Sequence, residues 1–159
     1  MTKSIILIPS RLAATRLPNK PLLKINNKTI ISHVYDKAIE SKIGDVWVAT
    51  CDKAISDEVK KNGGKSILTS DHHNTGTDRI SEALSKIDID NIDYVINLQG
   101  DEPLINIDDI KNLNNQAIAN NSDLATLACK INSDEKDKYT NPNIVKVITK
   151  DDLSNNRSS

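Results

Sequence analysis

Short apolar runs alternate along this chain with segments whose apolar residues recur every three or four positions, and that alternation leaves few folds open. Ser4 to Ile8 ends at Pro9 and reads as a buried strand. Thr29 then caps a helix carrying Ile30, Ile31, Val34, Tyr35, Ala38 and Ile39 on one stripe. Val46 to Ala49 reads as a second strand, Ala54 to Asn62 as a helix stopped by Gly63 and Gly64, and Ser66 to Leu68 as a third strand. Beyond a polar loop, Asp71 to Thr75, comes a helix with Ile80, Ala83, Leu84 and Ile87 on one face, then a strand from Tyr94 to Leu98. Asn106 caps the next helix, with Asp108 and Asp109 in its first turn and Ile110, Leu113, Ala117 and Ile118 as its apolar stripe. Leu124 to Ala128 and Ile144 to Ile148 are the last strand candidates. This rhythm predicts an α/β fold, an open, mostly parallel sheet with helices on both faces. Such sheets bind ligands beyond the carboxyl ends of their strands.

Two polar loops sit at such ends. The first, within IPSRLAATRLPNKPL from Ile8 to Leu22, carries Arg11, Arg16 and Lys20 with no apolar period. Three fixed cations and free backbone N–H groups suit a triphosphate, whose oxygens take charge-assisted hydrogen bonds. An ordinary solvated loop is the plain alternative. The second loop follows the Tyr94 to Leu98 run and reads QGDEP from Gln99 to Pro103. Asp101, next to Glu102, is a candidate Mg²⁺ ligand, since that ion is held by one or two carboxylates plus phosphate oxygens. A turn Asp satisfied by backbone N–H groups would look the same. Thr75 to Arg79, reading TGTDR, opens a helix after a glycine-containing turn, a place for anion or base-edge contacts. Simple N-capping, with Asp78 and Arg79 as an exposed ion pair, is the competing reading. His72 and His73 are adjacent, with no further His nearby, which is a poor metal-ligand arrangement.

Four blocks together resemble the 3-deoxy-manno-octulosonate cytidylyltransferases, the CMP-Kdo synthetases. IPSRLAATRLPNKPL is similar to that family's IPARxxSTRLPGKPL, TGTDR to its SGTDR or SGTER, NLQGDEPLI to its VQGDEP segment, and NPNIVKVI at Asn141 to Ile148 to a fourth block. Order and spacing agree from about Ile5 to Ile148. The sialic acid cytidylyltransferases lack TRLPxKPL followed by GTDR, and the methylerythritol phosphate enzymes use a Gly-rich loop instead. The resemblance implies a Rossmann-like nucleotide-diphospho-sugar transferase fold and a reaction of CTP with 3-deoxy-manno-octulosonate, giving CMP-Kdo and pyrophosphate for lipopolysaccharide biosynthesis. It implies that Arg11, Arg16 and Lys20 are catalytic and hold the CTP phosphates, with Pro9, Ser10 and Arg11 near the cytosine. Thr15, Thr75, Gly76, Thr77, Gln99 and Gly100 complete the expected nucleotide contacts, and Asp101 is the expected Mg²⁺ ligand. A homodimer is implied as well.

The chain departs from the family pattern at Ser10, where Ala is usual, at Ala14, where Ser is usual, and at Asn19, where Gly is usual. Asn tolerates positive φ, so the turn at Asn19 is expected to persist. His72 stands where the family commonly has Asp. After Lys150 the residues DDLSNNRSS leave the pattern, and the family continues into the sugar pocket, a second metal carboxylate and dimer contacts. The expectation is therefore a truncated or frame-shifted product, incomplete at its C-terminus, with a nucleotide-binding α/β domain over residues 1–153 and a disordered tail over 154–159. A non-catalytic CTP-binding remnant or half-enzyme is the alternative reading.

Composition narrows the partners. A net charge of -1 over 159 residues gives no footprint for nucleic acid or an anionic membrane surface. With aromatics at 3% and no Phe, the core must be built from Ile, Leu, Val and Ala. Cys51 and Cys129 lie far apart and outside metal-ligand spacing, so two buried, reduced thiols are expected. The apolar run before Pro9 is too short for a signal peptide or a membrane span, and the expected compartment is the cytoplasm.

Overall fold

The computed structural model describes residues 2–13, 17–132 and 134–148. The chain divides into two compact units, Met1–Ala125 and Thr126–Ser159.

In the first unit the elements run β1 (Ser4–Ser10), a 3₁₀ turn (Lys20–Leu22), β2 (Lys24–Ile25), β3 (Lys28–Thr29), α1 (Ile30–Ser41), β4 (Val46–Thr50), α2 (Lys53–Lys61), β5 (Ser66–Leu68), α3 (Gly76–Lys86), β6 (Tyr94–Asn97) and α4 (Ile107–Ala119). The main sheet has the order β5-β4-β1-β6. All three of its pairings are parallel, with Ile8 opposite Val48 and Ile6 opposite Ile96. The alternation of β1 decides what covers each face. Ile6 and Ile8 pack with Ile31 and Val34 of α1, Ile55 of α2 and Ile110 of α4. Ile5 and Leu7 point the other way, onto Ile80 and the following Ile87 beside α3. The predicted open parallel sheet, covered on both faces, is what forms.

The helix starts differ in how they are closed. Asn106 accepts from the Asp108 N–H at 2.9 Å, the expected cap. Thr29 occupies the cap position of α1 without a side-chain cap; its hydroxyl instead bonds Ser32 Oγ at 2.7 Å and donates to Glu58 at 3.1 Å. The β2–β3 hairpin was not predicted. Its turn is Asn26 and Asn27, both at positive φ, the backbone that a tight two-residue hairpin demands.

Two strand predictions fail. Leu124 to Ala128 and Ile144 to Ile148 form no strand, and Leu124 is 90% exposed. A strand of an open sheet is stabilised by hydrogen-bonded neighbours and covered faces, and an apolar run without them gains nothing from extending into one.

Among its described residues the second unit contains one short helix, α5 (Lys136–Thr140), with no buried residue. The Tyr139 hydroxyl donates to the Ile131 carbonyl at 3.0 Å, and Glu135 accepts from the Asn132 N–H at 3.1 Å and pairs with Lys138. The expected tail, 154–159, lies outside the described residues. Cysteine burial also differs from expectation: Cys51 is half-buried and Cys129 exposed, both as free thiols. Among the described residues no helix is long and apolar enough to cross a membrane.

Candidate functional site

Strand order reverses at β1: the chain runs outward through β4 and β5, then returns to place β6 on the other side. The crevice beyond the carboxyl ends of β1 and β6 is where such a sheet takes its ligand. A cleft of about 360 Å³ opens there.

From β1 and its loop the cleft is lined by Pro9, Ser10, Arg11, Ala13, Lys20 and Pro21. The loop is tied down at both ends. Asp52, just past β4, accepts from the Leu12 N–H at 2.8 Å, and the Asn19 N–H returns to the Leu12 carbonyl at 3.3 Å. Asn19 sits at φ 57°, so asparagine does keep the left-handed turn. Thr15 and Arg16 lie outside the described residues.

Gln99, Gly100 and Asp101 line the opposite side, after β6. Their backbone lies hard against β1: a Cβ at Gly100 would stand 2.8 Å from the Pro9 carbonyl oxygen. Only glycine allows that approach. Across the cleft Lys20 Nζ donates to Asp101 Oδ2 at 2.7 Å, which joins the two loops. Arg11 is exposed and has no ion pair among the described residues.

The third side comes from the start of α3: His73, Asn74, Thr75, Gly76 and Arg79. Thr75 is an N-cap, accepting from the Asp78 N–H at 3.1 Å and donating to the Asp78 carboxylate at 2.7 Å. Thr77 is exposed and does not line the cleft, because a helix turns it away from the face shared by Gly76 and Arg79, three residues apart. The exposed Asp78–Arg79 pair is likewise absent: adjacent helix residues do not face one another. Arg79 is 3% exposed, and its Nη1 donates to Thr69 Oγ1 at 2.5 Å and to the Ser70 carbonyl at 3.0 Å.

His73 was set aside as a metal ligand and its place in the cleft was missed. Its Nε2 bonds the Glu82 carboxylate, which also accepts from the Ser70 N–H at 2.9 Å and pairs with Lys86 at 2.5 Å. Lys86, the Ser70 N–H and His73 hold the Glu82 carboxyl down at about 2. A Glu two turns into the helix, nine residues after a loop His, was the available signal. Cys51, near Arg79, has its thiol pushed up, because burial outweighs the pull of the guanidinium.

Among the described residues no group of three or more His, Cys, Asp or Glu is placed to hold a metal ion. The donors among the described residues do not make an all-protein cage. They fit a hard cation shared between one carboxylate, Asp101, and the oxygens of a bound phosphate.

Solved structures share this α/β fold. A protein from Mycobacterium tuberculosis solved as a manganese complex matches at TM-score 0.59 and 13% identity, over 74% of this chain and 61% of its own, a likeness of fold alone. The CMP:2-keto-3-deoxy-manno-octonic acid synthetase complexed with CTP matches at TM-score 0.72 and 41% identity, covering 76% of this chain and 49% of that one. The family described as Cytidylyltransferase matches residues 5–158, and the chain belongs to it. Two curated relatives, both named 3-deoxy-manno-octulosonate cytidylyltransferase, are 46% identical. The one from Rhodopseudomonas palustris aligns over 92% of this chain and 60% of its own length, and the one from Thermodesulfovibrio yellowstonii over 91% and 58%. The chain thus spans about 60% of the length of the curated relatives it matches.

Proposed function

We propose that this chain belongs to a CMP-Kdo synthetase, joining CTP to 3-deoxy-manno-octulosonate with release of pyrophosphate. One observation carries the reading: the cleft at the switch point gathers Arg11, Lys20 and Asp101 beside the polar start of α3. The sugar's anomeric oxygen attacks the α-phosphorus, the bond to the β,γ-pyrophosphate breaks, and the hydroxyl proton passes to solvent. Negative charge gathers on the departing pyrophosphate. Arg11 and Lys20, cations fixed on a tethered loop, lie where they stabilise that charge. Bound with the triphosphate and held by Asp101, Mg²⁺ would neutralise phosphate oxygens. Gln99, Gly100 and Thr75 border the nucleoside and orient it. The cytoplasm is the compartment, and a second copy of the chain the partner, that this reading entails.

The test is pyrophosphate release by the purified chain with CTP, Mg²⁺ and 3-deoxy-manno-octulosonate, with Arg11→Ala and Asp101→Ala alongside. Turnover in the wild type, lost by at least about 100-fold in either variant, is the expected result. CTP binding without turnover would reduce the function to nucleotide binding. No binding at all would overturn the reading.

A further inference from the structure

Asp52 follows β4, and its carboxylate is not spent where its position in the chain favours. It is the N-cap residue of α2, yet its side chain makes no cap hydrogen bond. An Asp is normally favoured at that position because it caps the first turn. Its backbone is fixed on both sides: the carbonyl accepts from the Ile55 and Ser56 N–H groups at 3.1 Å, and the N–H donates to the buried Thr50 hydroxyl at 3.0 Å. From there Oδ2 reaches across to the loop after β1 and accepts from the Leu12 N–H at 2.8 Å.

Leu12 is thereby held at three points. Asp52 holds its N–H, the core cluster around Ile8 and Val48 receives its side chain, and its carbonyl accepts from the Asn19 N–H at 3.3 Å. Arg11 stands one residue before this clasp and Lys20 one residue after it, so the two cations of the cleft leave from its two sides. Neither Asp52 nor Leu12 is among the residues that line the cleft. By charge alone a carboxylate beside a site for a polyanion is unfavourable. Its hydrogen bond to a backbone N–H is charge-assisted, however, and fixes the loop more firmly than a neutral acceptor. Cations that are already in place stabilise developing charge without reorganising.

We propose that Asp52 is a positioning residue for nucleotidyl transfer: by holding Leu12 it sets where Arg11 and Lys20 stand, and so how tightly the chain grips a triphosphate. It acts through the two cations and touches no nucleotide. The inference rests on the nucleotidyl-transfer reading and adds to it a residue from outside the cleft.

Calorimetric binding of CTP to the 159-residue chain in one Mg²⁺ buffer tests it, in wild type, Asp52→Ala, Asp52→Asn, Arg11→Ala and the double variant Asp52→Ala/Arg11→Ala. Asp52→Ala should weaken CTP by about 10-fold. Loss of a negative charge would by itself tighten the binding of a polyanion, so weakening is the signature of lost position. Asp52→Asn keeps an acceptor oxygen for Leu12 and should stay within about 3-fold of wild type. In the double variant the loss should fall short of the product of the two single losses by at least about 3-fold, since Asp52 acts partly through Arg11. If Asp52→Ala does not fold, Asp52→Ser replaces it in both places, because Ser suits a cap position and its hydroxyl ends one bond short of the carboxylate oxygen. Wild-type affinity in Asp52→Ala, an equal loss in Asp52→Asn, or single losses that multiply in the double variant would each overturn the proposal. Failure of the underlying reading looks different: wild type binds no CTP, and the proposal falls with it.

Discussion

Ile5–Ile8 and Ile144–Ile148 are nearly the same text, IILI against IVKVI, with opposite outcomes. The first run is at most 1% exposed, paired on both edges and covered on both faces. In the second, Val145 is 93% and Ile148 94% exposed, and no strand forms. β-Propensity expresses a side chain's fit to a pleated, half-buried surface, so the neighbours decide and the residues only permit.

The sharpest way to break that contrast is truncation of one residue in each run. Ile8→Ala should lower unfolding stability by about 2–5 kcal/mol, and Val145→Ala should stay within about 0.5 kcal/mol, by urea denaturation. Equal losses would mean that the second run is packed in solution. A smaller effect is expected where the sheet meets the cleft. Gly100→Ala forces the loop off β1 and should cost about 1–3 kcal/mol while weakening CTP binding. Loss of binding at full stability would show that the loop adjusts and only the cleft suffers.

The two units also offer two glutamates in similar settings. Glu82 is held at about 2 by Lys86, Ser70 and His73, and Glu135 is lowered by Lys138 and the Asn132 N–H. A carboxyl depressed in the folded state contributes stability above its unfolded value, here 4.5, and loses it as pH falls through the folded value. Melting temperature should therefore drop between pH about 4.5 and about 2 in wild type, and that part of the drop should vanish in Glu82→Gln. Glu135→Gln should leave the global melt unchanged, because α5 buries nothing. Unaltered acid profiles in both variants would remove Glu82 as the anchor of the His73 loop. The gentlest probe is thiol alkylation. Cys129, exposed, should label before Cys51, which is half-buried with its thiol pushed up. The reverse order would contradict the burial contrast.

The sheet and its four long helices were legible because Ile, Val and Ala repeat at the right periods and Asn106 caps by a local rule. The β2–β3 hairpin was also legible in principle: Asn26-Asn27 is a turn pair, but two-residue strands carry no alternation to notice. The cleft was legible on two sides, β1 and β6, where polar loops follow strands. Its third side was legible only in part, through Thr75 and Gly76 at the start of α3. Arg79 and His73 are polar residues beside an amphipathic helix, and one-dimensional adjacency joined Arg79 to Asp78 when the helix turns them apart. Ser10 was expected near the base; that the Gly100 loop packs against its side chain is visible only in the fold.

The Lys20–Asp101 pair closes a charge pair across the mouth of the cleft. A triphosphate that engages Lys20 takes it from Asp101 and leaves that carboxylate facing fresh negative charge. On the proposed reading, a divalent cation held at Asp101 would restore the balance by taking the place of the ammonium. Nucleotide and cation would then be linked, each raising the other's affinity by the same factor.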